Sequence, residues 1–98
     1  MKLSKGQVVT VVLQNPREKV LGVLEKISDA GLYIRGIDLA YFEEWALAIR
    51  NEEQYLSMQD LFYPMWRIER ISRDAESAGI PSMAEQFEQK TGRKLTEF

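Results

Sequence analysis

The part of the sequence best suited to chemistry is a stretch in which arginines follow aromatic residues at short intervals. Its members are Tyr63, Trp66, Arg67, Arg70 and Arg73. Guanidinium groups hold phosphates and aromatic rings stack on bases, so this combination is typical of proteins that bind single-stranded nucleic acid. Glu69 and Asp74 lie among the arginines, however, and ordinary ion pairing is the more economical interpretation.

Two further cations, Lys26 and Arg35, are added to the nucleic-acid hypothesis. The full set of candidate contacts with a nucleic acid or another partner is Lys26, Arg35, Tyr63, Trp66, Arg67, Arg70 and Arg73.

Catalysis is not predicted. The chain has no histidine and no cysteine, and it contains no phosphate-binding or metal-binding motif. The paired carboxylates Glu43-Glu44 and Glu52-Glu53 are sequence neighbours, and neighbours on a helix point about 100° apart, so they form a solvated face rather than an acid and base pair. We therefore expect no enzyme activity, no cofactor and no metal site.

Composition places the chain among folded proteins of one domain, spanning residues 1–98. Apolar residues make up 45% and charged residues 29% of the sequence, which is ordinary for a globular protein. The net charge of −2 is unlike that of a strongly basic nucleic-acid-binding domain. The absence of cysteine fits a reducing compartment, and no apolar run approaches the ~18 residues of a membrane span. We expect a cytoplasmic protein with no membrane partner.

The region 19–37 predicts a β-hairpin. Two apolar runs rich in branched side chains flank the polar corner Ser28 to Gly31, where Asp29 can hydrogen-bond local backbone and Gly31 can adopt positive φ. Gly22 interrupts the first run. A glycine inside a strand indicates a sharp bend or the close approach of another backbone, so we expect a strongly bent second strand.

The remaining elements follow from periodicity and from helix-end signals. Val8 to Leu13 is a β-branched run, which predicts a first strand ending at Asn15-Pro16. Phe42, Trp45, Ala46 and Ile49 form one face of a helix over about residues 39–50. Two short strands then flank a 3₁₀-like turn after Pro64, and Ser82 and Glu85 form a capping box for a helix over about 82–91.

This element order is typical of a mainly β fold: a small, five-stranded, strongly bent barrel over residues 6–73 with an inserted helix. A C-terminal helix and tail occupy 80–98, and Leu95 and Phe98 in the tail are candidates for docking on the rest of the domain. Five short strands without crossover helices do not make a doubly wound sheet, but they can close into a small barrel.

Over residues 6–73 the chain resembles the Sm-like (LSm) family of small barrels, which share the bent SH3-like architecture. The resemblance lies in V-x-V-x-L from Val9 to Leu13, G-x-L from Gly22 to Leu24, an acidic corner at Asp29, and R-I-E-R-I from Arg67 to Ile71. It implies a five-stranded bent barrel, assembly into rings through edge strands, and RNA binding at loops that line a central pore.

The chain departs from the family at the residues that hold RNA. Leu32 stands where the family has asparagine, Asp29 falls one residue late, and Arg67-Ile68-Glu69 replaces the family's Arg-Gly. The resemblance therefore extends to the fold more than to the RNA pocket.

We interpret the chain as an oligomeric assembly or protein-interaction module. Ten per cent of the residues are aromatic, and together with an open edge strand and an amphipathic C-terminal helix they give more apolar surface than so short a chain readily buries. The expected partner is a second copy of the chain, in a ring or a dimer. The alternatives are an Sm-like ring protein that binds single-stranded RNA, and a monomer whose helices cap the barrel.

Overall fold

The structure is a computed structural model, and it describes residues 2–98; Met1 lies outside the described residues. The strands are β1 (Val8–Leu13), β2 (Glu18–Ile27), β3 (Gly31–Asp38), β4 (Gln59–Pro64) and β5 (Ile68–Arg73), and the α-helices are α1 (Phe42–Arg50) and α2 (Met83–Thr91). Short 3₁₀ turns cover Leu39–Tyr41, Met65–Arg67 and Leu95–Glu97. The predicted mainly β class, with five strands and two helices, is confirmed.

All five strands form one antiparallel sheet in the order β4-β3-β2-β1-β5. The β1–β2 and β2–β3 connections are tight, as predicted, whereas β5 returns to pair with β1 rather than with β4. No ladder joins β4 to β5 within residues 2–98, so the sheet has two free edges and is not closed by backbone pairing.

The sheet is buried on both faces. The inner face carries an inner cluster drawn from every strand: Val9, Val11, Leu13, Val20, Leu24, Leu32 and Ile34, with Leu61, Tyr63, Ile68 and Ile71 packed against them. The outer face carries an outer cluster in which the helices cover the central strands: Leu21, Val23, Ile37, Phe42, Trp45, Ala46, Ile49, Met58, Phe87, Leu95 and Phe98. The edge strands β4 and β5 bend towards the inner cluster, because their side chains complete it.

Two glycines face each other on the inner side of the sheet, where β2 pairs with β3. Gly22 is the register partner of Gly36. A Cβ on Gly22 would lie 2.5 Å from the carbonyl oxygen of Arg35 and 2.7 Å from the Cα of Gly36. The two backbones therefore approach too closely for a side chain, which is the close approach that the sequence predicted for Gly22.

Two sets of side-chain hydrogen bonds fix the start of α2. The predicted capping box is present: Glu85 N donates to Ser82 Oγ at 3.1 Å, and Ser82 N donates to Glu85 Oε1 at 3.3 Å. The Asp74 carboxylate accepts from the backbone N–H groups of Met83 and Ala84 at 2.8 and 2.9 Å. Asp74 therefore caps α2 and satisfies donors that a helix start leaves unpaired.

Trp45 anchors the outer cluster. Its side chain is fully buried, its ring centroid lies 4.9 Å from that of Phe87, and its Nε1 donates to the carbonyl of Leu56 at 2.7 Å. Leu95 and Phe98 are buried as well, and the backbone N–H of Met58 donates to the carbonyl of Phe98 at 3.3 Å. The C-terminal tail is thus docked on the outer face.

No helix within residues 2–98 is long and apolar enough to cross a membrane.

Gly22→Val is expected to destabilise the domain by about 1–3 kcal/mol, because the new side chain must displace the β3 backbone. Chemical denaturation measures the loss. Lys19→Val is the control, since it places the same side chain at an exposed position of the same strand. Equal stability of the two variants would contradict the close approach of β2 and β3.

Trp45→Ala is expected to cost about 3–5 kcal/mol, because it leaves a cavity in the outer cluster and removes the hydrogen bond to Leu56. Trp66→Ala is the matched control, because the Trp66 side chain is 64% exposed. Denaturant melts of both variants test the difference, and a Trp66 variant as unstable as the Trp45 variant would contradict the assignment.

Candidate functional site

The corner between β4 and β5 brings together three of the residues singled out by the sequence. Tyr63 lies near the end of β4, and Trp66 and Arg67 lie in the 3₁₀ turn that follows. Gln14 holds the turn in place, since its backbone N–H donates to the Arg67 carbonyl and its Nε2 to the Trp66 carbonyl, both at 2.8 Å. The indole of Trp66 remains exposed at this fixed corner.

Arg67 is committed to contacts inside the domain. Its Nη2 lies 2.6 Å from Glu18 Oε2 and 3.4 Å from the carbonyl oxygen of Pro16, and its guanidinium lies 5.9 Å from the centroid of the Tyr63 ring. The side chain is only 16% exposed. Arg67 therefore joins the β4–β5 corner to the start of β2, and little of its charge faces solvent.

The arginines of β5 point to opposite faces of the sheet. Val12 is the register partner of Arg70 and Val11 that of Ile71, so Arg70 lies on the outer face while Ile71 faces the inner cluster. Arg73 pairs with Val9 on the inner side, and its Nη2 lies 3.5 Å from the carbonyl of Lys2. Within residues 2–98 Arg70 forms no ion pair, and its sequence neighbour Glu69 pairs with Arg17 at 3.6 Å.

Lys26 and Arg35 lie on the outer face, away from the corner. Lys26 is the register partner of Tyr33 at the far end of β2. Arg35 Nη2 donates to the Thr96 carbonyl at 3.1 Å, which ties β3 to the docked tail. The seven candidate contacts therefore occupy three places: the β4–β5 corner, the two faces of β5, and the outer face of β2 and β3.

An outer-face groove beside β4 contains functional candidates that the sequence interpretation did not single out. The groove has a volume of about 450 Å³ and is lined by Glu25, Tyr33, Ile34, Asp60, Leu61 and Phe62. Tyr33 and Phe62 are register partners whose ring centroids lie 4.8 Å apart, and they are 46% and 45% exposed. We call this the aromatic groove. The sequence carries no local signal for it, because Leu61, Phe62 and Tyr63 are all apolar and only the pairing of β4 with β3 shows that Phe62 points away from the inner cluster.

A second cavity has a volume of about 260 Å³ and is lined by residues of β2, β3 and β4 beside the inner cluster. Two carboxylates and two phenols are among its lining side chains, which include Glu18, Asp38, Tyr41 and Tyr63. Gly36 lines it too and contributes no side chain, which leaves room beside Val20. Asp38 Oδ1 accepts from the backbone N–H of Ala40 at 2.9 Å. We call this the carboxylate cleft.

The carboxylate cleft shifts the acidity of one phenol. Burial raises the pKa of Tyr63 above its ordinary 10.0, the Glu18 carboxylate raises it further, the Arg67 guanidinium lowers it, and Asp38 raises it. The folded state therefore favours the neutral phenol. Because the folded pKa is raised, this contribution to stability is present below pH 10 and is lost as the pH rises through the folded pKa.

The groups that line the aromatic groove are suited to recognising a cation. Among residues 2–98 no group of three or more His, Cys, Asp or Glu side chains is placed to hold a metal ion. The aromatic groove offers two ring faces beside two carboxylates, and rings with carboxylates attract cations that carry apolar stems.

We expect Tyr63 to ionise above pH 10.0 in an absorbance-monitored pH titration, because its pKa is raised, and Tyr63→Phe removes this step. Glu18→Gln is expected to move the step to lower pH, because it removes a carboxylate that disfavours the phenolate. Glu69→Gln is the control, as Glu69 pairs with Arg17 and does not perturb Tyr63. An unchanged titration in the Glu18 variant would contradict the coupling.

Comparison of the chain with protein-family models, with curated proteins and with solved structures gives no match. The Sm-like resemblance therefore stays a prediction, and function has to be argued from the surfaces described above.

Proposed function

We propose that the chain is an oligomeric assembly or protein-interaction module that associates through the free edges of β4 and β5. The observation that carries the proposal is the pair of open edges in one sheet. Each edge leaves backbone N–H and C=O groups without a strand partner, which is a template for pairing with another chain. We also propose that the bent sheet forms an Sm-like or SH3-like barrel, since its inner cluster takes side chains from all five strands.

The β4 edge has few of the charged residues with which monomeric proteins prevent an edge strand from pairing with another chain. Along β4, Asp60 is the one charged residue, and Phe62 is exposed on the outer face. Met65 and Trp66 continue the apolar surface into the corner, with exposed fractions of 39% and 64%. An edge strand bordered by exposed aromatic side chains is suited to burial against a partner.

The two edges also differ in charge. The approach to β4 carries Glu52 and Glu53 before Asp60, whereas β5 carries Arg70 and Arg73 against Glu69. Unlike edges favour a head-to-tail contact, in which β4 of one copy meets β5 of the next and repeats around a ring. We propose a cytoplasmic homo-oligomer of this kind.

The second candidate function is binding of single-stranded RNA, and it is favoured by an exposed indole, Trp66, and an exposed arginine, Arg70. An exposed indole can stack on a base, and an unpaired guanidinium can contact a phosphate. The two functions differ in their response to salt, because phosphate contacts release counterions and such binding falls steeply as salt rises. A titration with single-stranded RNA at two salt concentrations separates them, and absence of micromolar binding at low salt excludes the RNA function.

We expect the wild-type chain to sediment as a multiple of 11.4 kDa at tens of micromolar. Phe62→Lys is expected to shift the equilibrium to the monomer, because a lysine on an edge strand opposes pairing. Leu47→Lys is the matched control, since Leu47 is an exposed apolar residue on α1, away from either edge. A single 11.4 kDa species for the wild-type chain would contradict assembly.

A further inference from the structure

We propose that the aromatic groove beside β4 is a docking site for the Arg70 side chain of a second copy of this chain. This inference rests on the proposed edge-to-edge assembly and deepens it, because it names the side chain that fixes how one copy sits on the next. The observation behind it is that the groove and Arg70 lie on the same face of the sheet, each next to a different free edge.

The groove is built to receive a cation. Its two charged lining residues, Glu25 and Asp60, are both carboxylates, and neither forms an ion pair within residues 2–98. Arg35 is the cross-strand partner of Asp60, but its Nη2 donates to the Thr96 carbonyl instead. The carboxylate of Asp60 is therefore left for an external partner.

The two aromatic rings of the groove provide an apolar surface beside its carboxylates. Tyr33 and Phe62 pack at a tilt of 47°, and nearly half of each side chain is exposed. A guanidinium that lies on such a ring gains a cation–π contact while its methylene stem covers apolar surface. Arginine suits this place better than lysine, because its planar group can stack on a ring and also donate to a carboxylate.

Arg70 is the arginine of β5 that is placed to enter the groove. Arg67 is held by Glu18, and Arg73 lies on the inner side of the sheet. Arg70 lies on the outer face, is exposed, and forms no ion pair within the described part of the chain. Arg70 and Asp60 thus both lack an ion-pair partner within one copy, and their charges are complementary between two copies.

Strand geometry allows the two to meet. When a strand adds to a sheet edge, the faces of the sheet stay continuous, because neighbouring strands share one pleat and lie about 4.8 Å apart. Asp60 and Phe62 point to the outer face of β4, as Arg70 does on β5. Side chains on the same face of adjacent strands contact directly or diagonally, so Arg70 of one copy can reach Asp60 and Phe62 of the next.

A charge-reversal mixing experiment tests the proposal. Arg70→Glu and Asp60→Arg are prepared as separate proteins, and each alone sets like charges against each other at every β4–β5 contact. Mixed in equal amounts, the two proteins restore a pair of opposite charges at every contact between unlike copies. Arg50→Glu is the control, because Arg50 is an exposed arginine in the last turn of α1. Circular dichroism checks that each variant is folded.

Sedimentation of the separate proteins and of the mixture gives the result. We expect the dissociation constant to rise about ten-fold or more in each single variant, which corresponds to about 1.4 kcal/mol, and to recover in the mixture. The control is expected to assemble like the wild type. Folded single variants that assemble like the wild type would overturn Arg70 docking and leave edge assembly standing. Loss of assembly without recovery in the mixture would overturn the Arg70–Asp60 pairing, and a monomeric wild-type chain would overturn the proposed function itself.

Discussion

The close approach of β2 and β3 at Gly22 and Gly36 is the constraint on which the rest of the structure depends. Neither residue has room for a Cβ. The inner side of the sheet therefore lacks side chains at the point where Gly22 of β2 pairs with Gly36 of β3. A sheet without side chains at its centre can curl towards that side. The curl brings Leu61 and Tyr63 of β4 and Ile68 and Ile71 of β5 to one inner cluster, and a single small core is then shared by all five strands.

The curl also determines which surfaces remain for a partner. The outer side of the bent strands is convex, and α1, α2 and the docked tail cover its centre through Trp45, Phe87 and Phe98. This cover ends before the outer face of β4, where Tyr33 and Phe62 remain exposed. The uncovered apolar surface and the free backbone edge therefore lie side by side, and association through the edge would bury both at once.

Local signals in the sequence predicted the elements, whereas contacts between distant segments decided the candidate site. The capping box at Ser82 and the apolar stripe containing Trp45 act within one or two turns, so both helices were predicted near their observed bounds. The pairing of Arg67 with Glu18 spans 49 positions, and no local pattern reveals it. The aromatic groove was missed because the run at 61–63 is apolar throughout, and only the pairing of β4 with β3 shows that Phe62 points outwards.

The spacing of the arginines is the reason why we propose assembly ahead of RNA binding. An interval of three positions on a strand moves a side chain from one face to the other, so Arg70 and Arg73 point to opposite faces although they look like one cluster in the sequence. Arg67, before the strand, is held by Glu18. A phosphate backbone is held by several cations along one surface, and the outer face of β5 offers Arg70 alone. We therefore propose one aromatic and acidic groove on a neighbouring copy, rather than an extended polyanion, as the partner of Arg70.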